Sequence, residues 1–377
     1  MKHVMLVFGT RPEAIKMAPV VRELAARTDE FRITTCVTGQ HREMLYQVLD
    51  LFDVRPDRDL EVMAPNQSLE RLTARILEGM SDALSEYSPD VVLVHGDTTT
   101  TLAASLASYY RRIPVGHVEA GLRTGDIYAP WPEEINRQAA DRIARYCYAP
   151  TERSRENLER DGVSGEVLVT GNTVIDALLL AREILEDGGP VAEDARRRLA
   201  SQLDYPLEDE PTVLITGHRR ENFGSGFENI CTAVRELAGR NPAVRFVYPV
   251  HLNPNVREPV MRLLSGADNV HLIEPLDYAP FVLLMSAAQI VLTDSGGIQE
   301  EAPSLGKPVI VMRETTERPE AVDARTVKLV GTDPEKIASS VQELLDDPEE
   351  YRRMSRAHNP YGDGKAASRI ADHLAEL

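Results

Sequence analysis

At 377 residues the chain exceeds the ~250–300 residues at which one hydrophobic core usually stops growing, so two domains with separate cores are expected. Its 42% hydrophobic and 27% charged residues are those of a globular enzyme. A net charge of -18 excludes a broad grip on nucleic acid or on an anionic membrane, because that grip needs excess Lys and Arg.

The start of the chain, Met1-Lys2-His3, runs directly into VMLVF, which is too short for a signal-peptide core and carries no cleavage site. Nowhere do eighteen consecutive apolar residues occur, so no membrane span is expected and the cytoplasm is the expected location. Cys36, Cys147 and Cys231 are far apart and form no CxxC, as buried thiols in a reducing compartment would be.

Short apolar runs alternate with helical stretches, the pattern of a parallel sheet wrapped by helices. VMLVFG, RITTCVTG, VVLVHGD, VGHVEAG, RYCYAP and VLVTGN are the strands predicted in the first half. TVLITGH, RFVYPVH, VHLIEP, IVLTDSGG, VIVMR and TVKLVG are those of the second. Between the two sets, 174–185 reads as a helix, Gly188-Gly189-Pro190 breaks it, and 192–203 resumes it, which places the domain boundary near residue 174. The fold class is therefore α/β, with two Rossmann-like, doubly wound domains facing across a cleft. Ligands of open α/β sheets bind beyond the carboxyl ends of the strands. Arg11, Gln40, Asp97, Glu119, His218, His251, Ser295 and Arg313 each follow an apolar run by a few residues, and a shared cleft explains all eight.

The first strand-to-helix turn, FGTRPEAIKMAP, has one Gly rather than the GxGxxG of a dinucleotide site, which disfavours NAD. Arg11 and Lys16 instead flank a helix start whose free N–H groups suit an anion; the bland alternative is two solvated cations. His95 with Asp97, and His117 with Glu119, stand at i and i+2, so each pair is expected to share one strand face. No HExxH or similar spacing accompanies them, so carboxylates working as acid and base fit at least as well as a metal site.

Glu133 and Glu134 follow Pro132 at a predicted helix start, where acids simply complement the helix dipole, and Arg137 is placed at i+4 to pair with Glu133. TGHRREN concentrates His218, Arg219 and Arg220 after a strand, a basic cluster suited to an anionic ligand. In TDSGGIQEE, Ser295, Gly296 and Gly297 separate a strand from a helix, so bare N–H groups can cradle phosphate. Glu300 or Glu301, one turn on, is placed to hold ribose hydroxyls. The closing helix carries Ala366, Ile370 and Leu374 on one face, suited to docking.

Taken together, FGTRPEAIKMAP, TGQHREML, VHGDTTTTLA, IPVGHVEAGLRTGDIYAPWPEE, GNTVIDAL, TGHRREN, YPVHLNPNVREPV, DSGGIQEEAPSLGKPV, MRETTERPEAV and SRAHNPYGDG resemble the non-hydrolysing UDP-N-acetylglucosamine 2-epimerases in order over residues 3–364. The resemblance implies the glycosyltransferase-B type of fold, with 1–173 plus 362–377 forming one domain and 174–361 the UDP-binding one. It implies a homodimer that interconverts UDP-GlcNAc and UDP-ManNAc by eliminating UDP to 2-acetamidoglucal and adding it back, with neither metal nor cofactor.

By the same resemblance Asp97, Glu119 and Glu133 move protons, which replaces the dipole reading of Glu133. Arg11, His218 and the Ser295–Gly297 turn match the diphosphate grip, with Arg313 a further substrate-binding position. Lys16 and Arg137 match further polar active-site positions. Glu301 matches the ribose ligand and Phe281 a partner for the uracil ring. Gln40, Arg219 and His251 match a second, activating UDP-GlcNAc site of some bacterial relatives, but Glu43 and Asn66 depart from that pattern and weaken it. Other readings of the same fold are an epimerase of a modified UDP-sugar, a hydrolysing epimerase and a glycosyltransferase. A non-catalytic UDP-sugar sensor would leave the three carboxylates without a task.

Overall fold

Strand β1 (Lys2–Phe8) is buried from His3 onward and lies between two partners, with Val4 opposite Ile33 on one side and Val91 on the other. Such a strand must be apolar on both faces, which is why HVMLVF reads as a continuous run rather than an alternation. The computed structural model describes residues 1–39, 42–64, 67–203, 205–207 and 210–377.

Around β1 the chain builds α1 (Arg11–Ala26), β2 (Phe31–Val37), α2 (Arg42–Leu51), β3 (Arg58–Asp59), α3 (Leu69–Tyr87), β4 (Val91–His95), α4 (Thr99–Tyr110) and β5 (Val115–Val118). It continues through α5 (Glu133–Ile143), β6 (Tyr146–Ala149), α6 (Glu152–Arg160), β7 (Glu166–Val169) and α7 (Thr173–Asp187). The seven parallel strands lie in the order β3-β2-β1-β4-β5-β6-β7.

After α8 (Pro190–Ala200), the second sheet is made by β8 (Thr212–Thr216), β9 (Arg245–Pro249), β10 (Val270–Ile273), β11 (Ile290–Thr293), β12 (Val309–Val311) and β13 (Val327–Leu329). It is wrapped by α9 (Ser225–Arg240), α10 (Pro254–Leu264), α11 (Tyr278–Ala287), α12 (Gly296–Ser304), α13 (Pro319–Asp323), α14 (Pro334–Asp346) and α15 (Pro348–Ser355). Its parallel order is β10-β9-β8-β11-β12-β13. Each sheet reverses its winding once, between β1 and β4 and between β8 and β11, so each is a doubly wound, Rossmann-like sheet.

Two units divide the chain, 1–180 with 361–377 and 181–360. The expected boundary at 173/174 falls at the start of α7, and the chain leaves the first unit within that helix. All twelve expected strands form; β3, two residues long, was not expected. The helix expected at 192–203 runs instead from Pro190 to Ala200, because Pro190 takes the first helical position, where its missing N–H is harmless.

The last helix, α16 (Ala366–Glu376), belongs to the first unit and buries the expected face, Ala366, Ile370 and Leu374. It is pinned by Lys2 Nζ donating to Leu374 O at 2.7 Å, by the Arg27–Asp372 ion pair at 2.6 Å, and by Ala367 N–H donating to Asp176 at 2.8 Å. All three cysteines are buried, and burial pushes the Cys36 and Cys231 thiols up to about 12. Among the described residues, no helix is long and apolar enough to cross a membrane.

Candidate functional site

In the first unit, the turns after β1 and β4 flank the point where the winding reverses, and one buried carboxylate joins them. Glu13 Oε2 accepts from Gly9 N–H at 3.0 Å and Thr10 N–H at 2.7 Å, while Oε1 accepts from Thr98 Oγ1 at 2.6 Å. Thr10 is the N-cap of α1, and it forms a reciprocal capping box with Glu13. Burial pushes the Glu13 carboxyl up, while the hydroxyl of Thr98 and the amides of Gly9 and Thr10 pull it back. This fixes Arg11, which has no side-chain partner among the described residues, relative to Asp97.

Lys16, one turn further along α1, forms an ion pair with Glu119, whose side chain is 9% exposed. Asn172 Nδ2 donates to the same Glu119 oxygen at 3.0 Å. Glu119 sits at φ 66, a left-handed conformation that costs a side-chain-bearing residue about 1–3 kcal/mol. His95 is buried, its Nε2 lies 3.9 Å from Glu119, and among the described residues neither ring nitrogen has a hydrogen-bond partner. Burial holds its pKa down at about 3, with Glu119 opposing and Lys16 assisting, so the ring is neutral. Unpaired buried nitrogens cost ~1–3 kcal/mol each, and groups left so are found at working sites.

Asp97 pairs with Arg137, and Asn136 Nδ2 donates to Asp97 O at 2.9 Å. The Arg137 guanidinium also reaches Glu134 at 3.1 Å, so its acidic neighbour on α5 is Glu134 at i−3 and not Glu133 at i−4 as expected. Glu134 is fully buried and also accepts from Gln138 at 2.9 Å and from Thr124 N–H at 3.2 Å, which commits it to structure. Glu133 is half-buried, and its carboxylate has no partner among the described residues.

His117 does not share a face with Glu119. Strand β5 ends at Val118 and Glu119 is left-handed, so the two-residue alternation stops before it applies. His117 points instead to Asp141 at 2.7 Å and to Gly96 O at 2.7 Å.

The second unit repeats the first unit's device. Asp294, fully buried after β11, accepts from His218 N–H at 3.0 Å, Arg219 N–H at 2.9 Å and Asn222 Nδ2 at 3.2 Å. It thus ties the turn after β8 to the turn after β11. His218 stacks on His251, with ring centroids 5.7 Å apart and planes at 24°. Burial lowers the His218 pKa; Asp294 opposes the shift, and Arg219 and His251 reinforce it.

Ser295 caps α12 without a side-chain bond, leaving the first N–H groups of the helix available to an anion. A Cβ on Gly296 would lie 3.4 Å from the Arg219 guanidinium and 3.8 Å from that of Arg318, so bare backbone there faces two cations. Arg318 pairs with buried Glu300, whereas a Cβ on Gly297 would stand 3.4 Å from Glu301 Oε1. This separates the two acids that sequence spacing left open.

Arg313 is buried between Glu317 at 2.8 Å and Glu221 at 2.5 Å. Burial works against its charge but the two carboxylates outweigh it, and the guanidinium in turn holds Glu317 down at about 2. Phe281, on α11, is half-buried. Gln40, Asn66 and the side chain of Glu43 lie outside the described residues.

Glu13, Asp294, Asn172 and Arg318 were not singled out from sequence. Glu13 was legible as the closing residue of a T-x-x-E capping box, three places after Thr10; the other three touch the site through partners far away in the chain. Among the described residues no three His, Cys, Asp or Glu are grouped to hold a metal ion.

Known proteins share this fold and much of this sequence. The family model described as UDP-N-acetylglucosamine 2-epimerase matches residues 22–375. A curated UDP-N-acetylglucosamine 2-epimerase of Escherichia coli K12 is 59% identical over 372 residues, 98% of each chain. The crystal structure of the Neisseria meningitidis UDP-GlcNAc 2-epimerase bound to UDP-GlcNAc superposes with a TM-score of 0.87 at 52% identity, covering 100% of both chains. Sucrose-phosphate synthase of Thermosynechococcus elongatus, at 16% identity and a TM-score of 0.65 over 100% of this chain and 99% of its own, shares the glycosyltransferase-B fold alone. The chain belongs to the UDP-N-acetylglucosamine 2-epimerase family.

Proposed function

We propose that the chain interconverts UDP-GlcNAc and UDP-ManNAc by eliminating UDP across C1–C2 and adding it back to the 2-acetamidoglucal formed. The observation that carries this reading is the pair of carboxylates at one switch point, Glu119 with Lys16 and Asp97 with Arg137. The C2 proton of the sugar is not α to a carbonyl, so a route through elimination needs one carboxylate to take a proton and another to return it to the opposite face. Asp97, Glu119 and Glu133 supply these groups.

Cations must hold the departing diphosphate. Arg11, His218, Arg219 and the N–H groups of Ser295–Gly297 are assigned to it, with Arg318 added to that set on its closeness to Gly296. Glu301 is assigned to the ribose and Phe281 to the uracil ring. Arg313 is assigned to ordering the loop through Glu221 and Glu317 rather than to direct contact. The nearness of Arg219 to Gly296, and of His251 to His218, favours their service at the UDP site over a separate activating site. We further infer a cytoplasmic homodimer supplying UDP-ManNAc for cell-surface polysaccharide, on the resemblance.

Proton NMR of the protein with UDP-GlcNAc in D2O tests the reading. UDP-ManNAc carrying deuterium at C2, without free sugar accumulating, is expected. Free ManNAc with UDP would replace it by a hydrolysing reaction, and an unchanged substrate would exclude UDP-GlcNAc.

A further inference from the structure

His117 is fully buried on β5, yet no role in binding or proton transfer falls to it. Its ring is committed on both sides. Nε2–H donates to Gly96 O at 2.7 Å, and Nδ1 meets the Asp141 carboxylate at 2.7 Å. Asp141 is itself fully buried and paired with Arg123 at 2.8 Å, which in turn pairs with Asp161 at 2.7 Å.

Gly96 is the residue immediately before Asp97, and its N–H donates to Val118 O at 2.9 Å. At φ 69 it reverses the chain out of β4. Its peptide is therefore fixed at both ends by β5, which is where the direction of the Asp97 side chain is decided. Asp141 lies one helical turn beyond Arg137 on α5, the helix that holds the Asp97 carboxylate. The turn is thus tied to α5 in three ways: through Asp97–Arg137, through Asn136 Nδ2 donating to Asp97 O, and through Gly96–His117–Asp141.

We propose that His117, oriented by Asp141, is a positioning residue that sets the aim of Asp97 against Arg137. The inference rests on the proposed reaction for its catalytic consequence, but the tether itself does not. A reacting group displaced by about 1 Å can lose on the order of a hundredfold in rate. A group held by a rigid outer layer is spared that loss.

The test replaces His117 by Phe, which fills the ring's volume and donates nothing, and Asp141 by Asn. In Asp141→Asn the amide N–H donates to Nδ1 and leaves Nε2–H on Gly96, so the tether survives. For His117→Phe we expect turnover of UDP-GlcNAc to fall about ten- to a hundredfold with UDP affinity unchanged by calorimetry. For Asp141→Asn we expect a smaller loss of turnover than for His117→Phe, since the amide keeps a contact to Nδ1. Asp97→Asn combined with His117→Phe should be no slower than Asp97→Asn alone, because residues acting as one unit are not additive. Additive slowing, or parental turnover in His117→Phe, would overturn the assignment.

Backbone hydrogen exchange across residues 94–98 of the free protein gives a readout that needs no reaction. Faster exchange confined to that segment in His117→Phe is expected, and unchanged exchange overturns the tether. If His117→Phe fails to fold, His117→Leu, which also donates nothing, takes its place in both measurements. A parent protein without C2 exchange on UDP-GlcNAc would remove the proposed reaction, while the hydrogen exchange would still decide the role of His117.

Discussion

The Lys16 ammonium and the Glu119 carboxylate are paired with only 18% and 9% of their side chains exposed, so water and salt screen the pair little. Lys16→Met removes the cation from Glu119, beside which Asn172 Nδ2 still donates and His95 stays neutral. A lost charge-assisted hydrogen bond of ~1.5–3 kcal/mol corresponds to roughly a 10- to 100-fold fall in turnover. Steady-state rates on UDP-GlcNAc check this, and parental rates in Lys16→Met would remove Lys16 from the site.

Arg11 begins α1 with no side-chain partner among the described residues, which suits a cation reserved for a ligand. Arg11→Ala is expected to weaken UDP binding about 10- to 100-fold, the equivalent of one charge-assisted contact, with little change in melting temperature. Calorimetric titration with UDP measures it. Unchanged affinity would mean that the diphosphate lies elsewhere.

His95 makes the fold sensitive to acid. Its folded pKa of about 3 lies below the ordinary 6.5, chiefly because burial disfavours the charged ring. The unfolded chain therefore binds the extra proton first. The contribution is complete above pH 6.5 and is lost as pH falls towards 3, at no more than about 1.4 kcal/mol for each pH unit. His95→Asn should flatten the difference between urea midpoints at pH 7 and pH 5. Parallel midpoints in the two proteins would count against the buried neutral ring.

Asp176 acts with the opposite sign. Burial raises its carboxyl from 3.8 to about 6, against the pull of the Ala367 and Ala366 amides. The folded state thus favours the protonated acid: its contribution is full below pH 3.8, declines as pH rises to about 6, and is flat above. Asp176→Asn keeps an acceptor for Ala367 N–H and removes the buried charge. It should stabilise the protein by about 1–3 kcal/mol at pH 7 and not at pH 4, compared with the parent at each pH. Thermal melts at both values decide it, and a loss of stability at pH 7 would show that the charge itself holds α16.

Much of this architecture was open to reading because parallel strands buried on both faces are apolar runs ended by polar turns. β3 escaped because Arg58 and Asp59 have no apolar character; only pairing with Cys36 and Val37 makes them a strand. Asp97, Glu119 and His218 were legible by their place just after a run. The direction of His117 was not, because alternation holds only while the backbone stays extended. The choice between Glu133 and Glu134 as partner of Arg137 likewise depends on where α5 begins and which side faces Thr124, and spacing alone carries neither.

The left-handed backbone of Glu119 and the ring of His95, without a hydrogen bond among the described residues, place two unfavourable terms side by side. A stability-guided redesign would be drawn there first, to glycine at 119 and to an apolar residue at 95. On the proposed reaction both changes would lower turnover, and glycine at 119 would also remove the Lys16 ion pair and the Asn172 hydrogen bond. Directed evolution for heat resistance should therefore be run with turnover as a second selection, and these two positions kept fixed while the surface and α16 are varied.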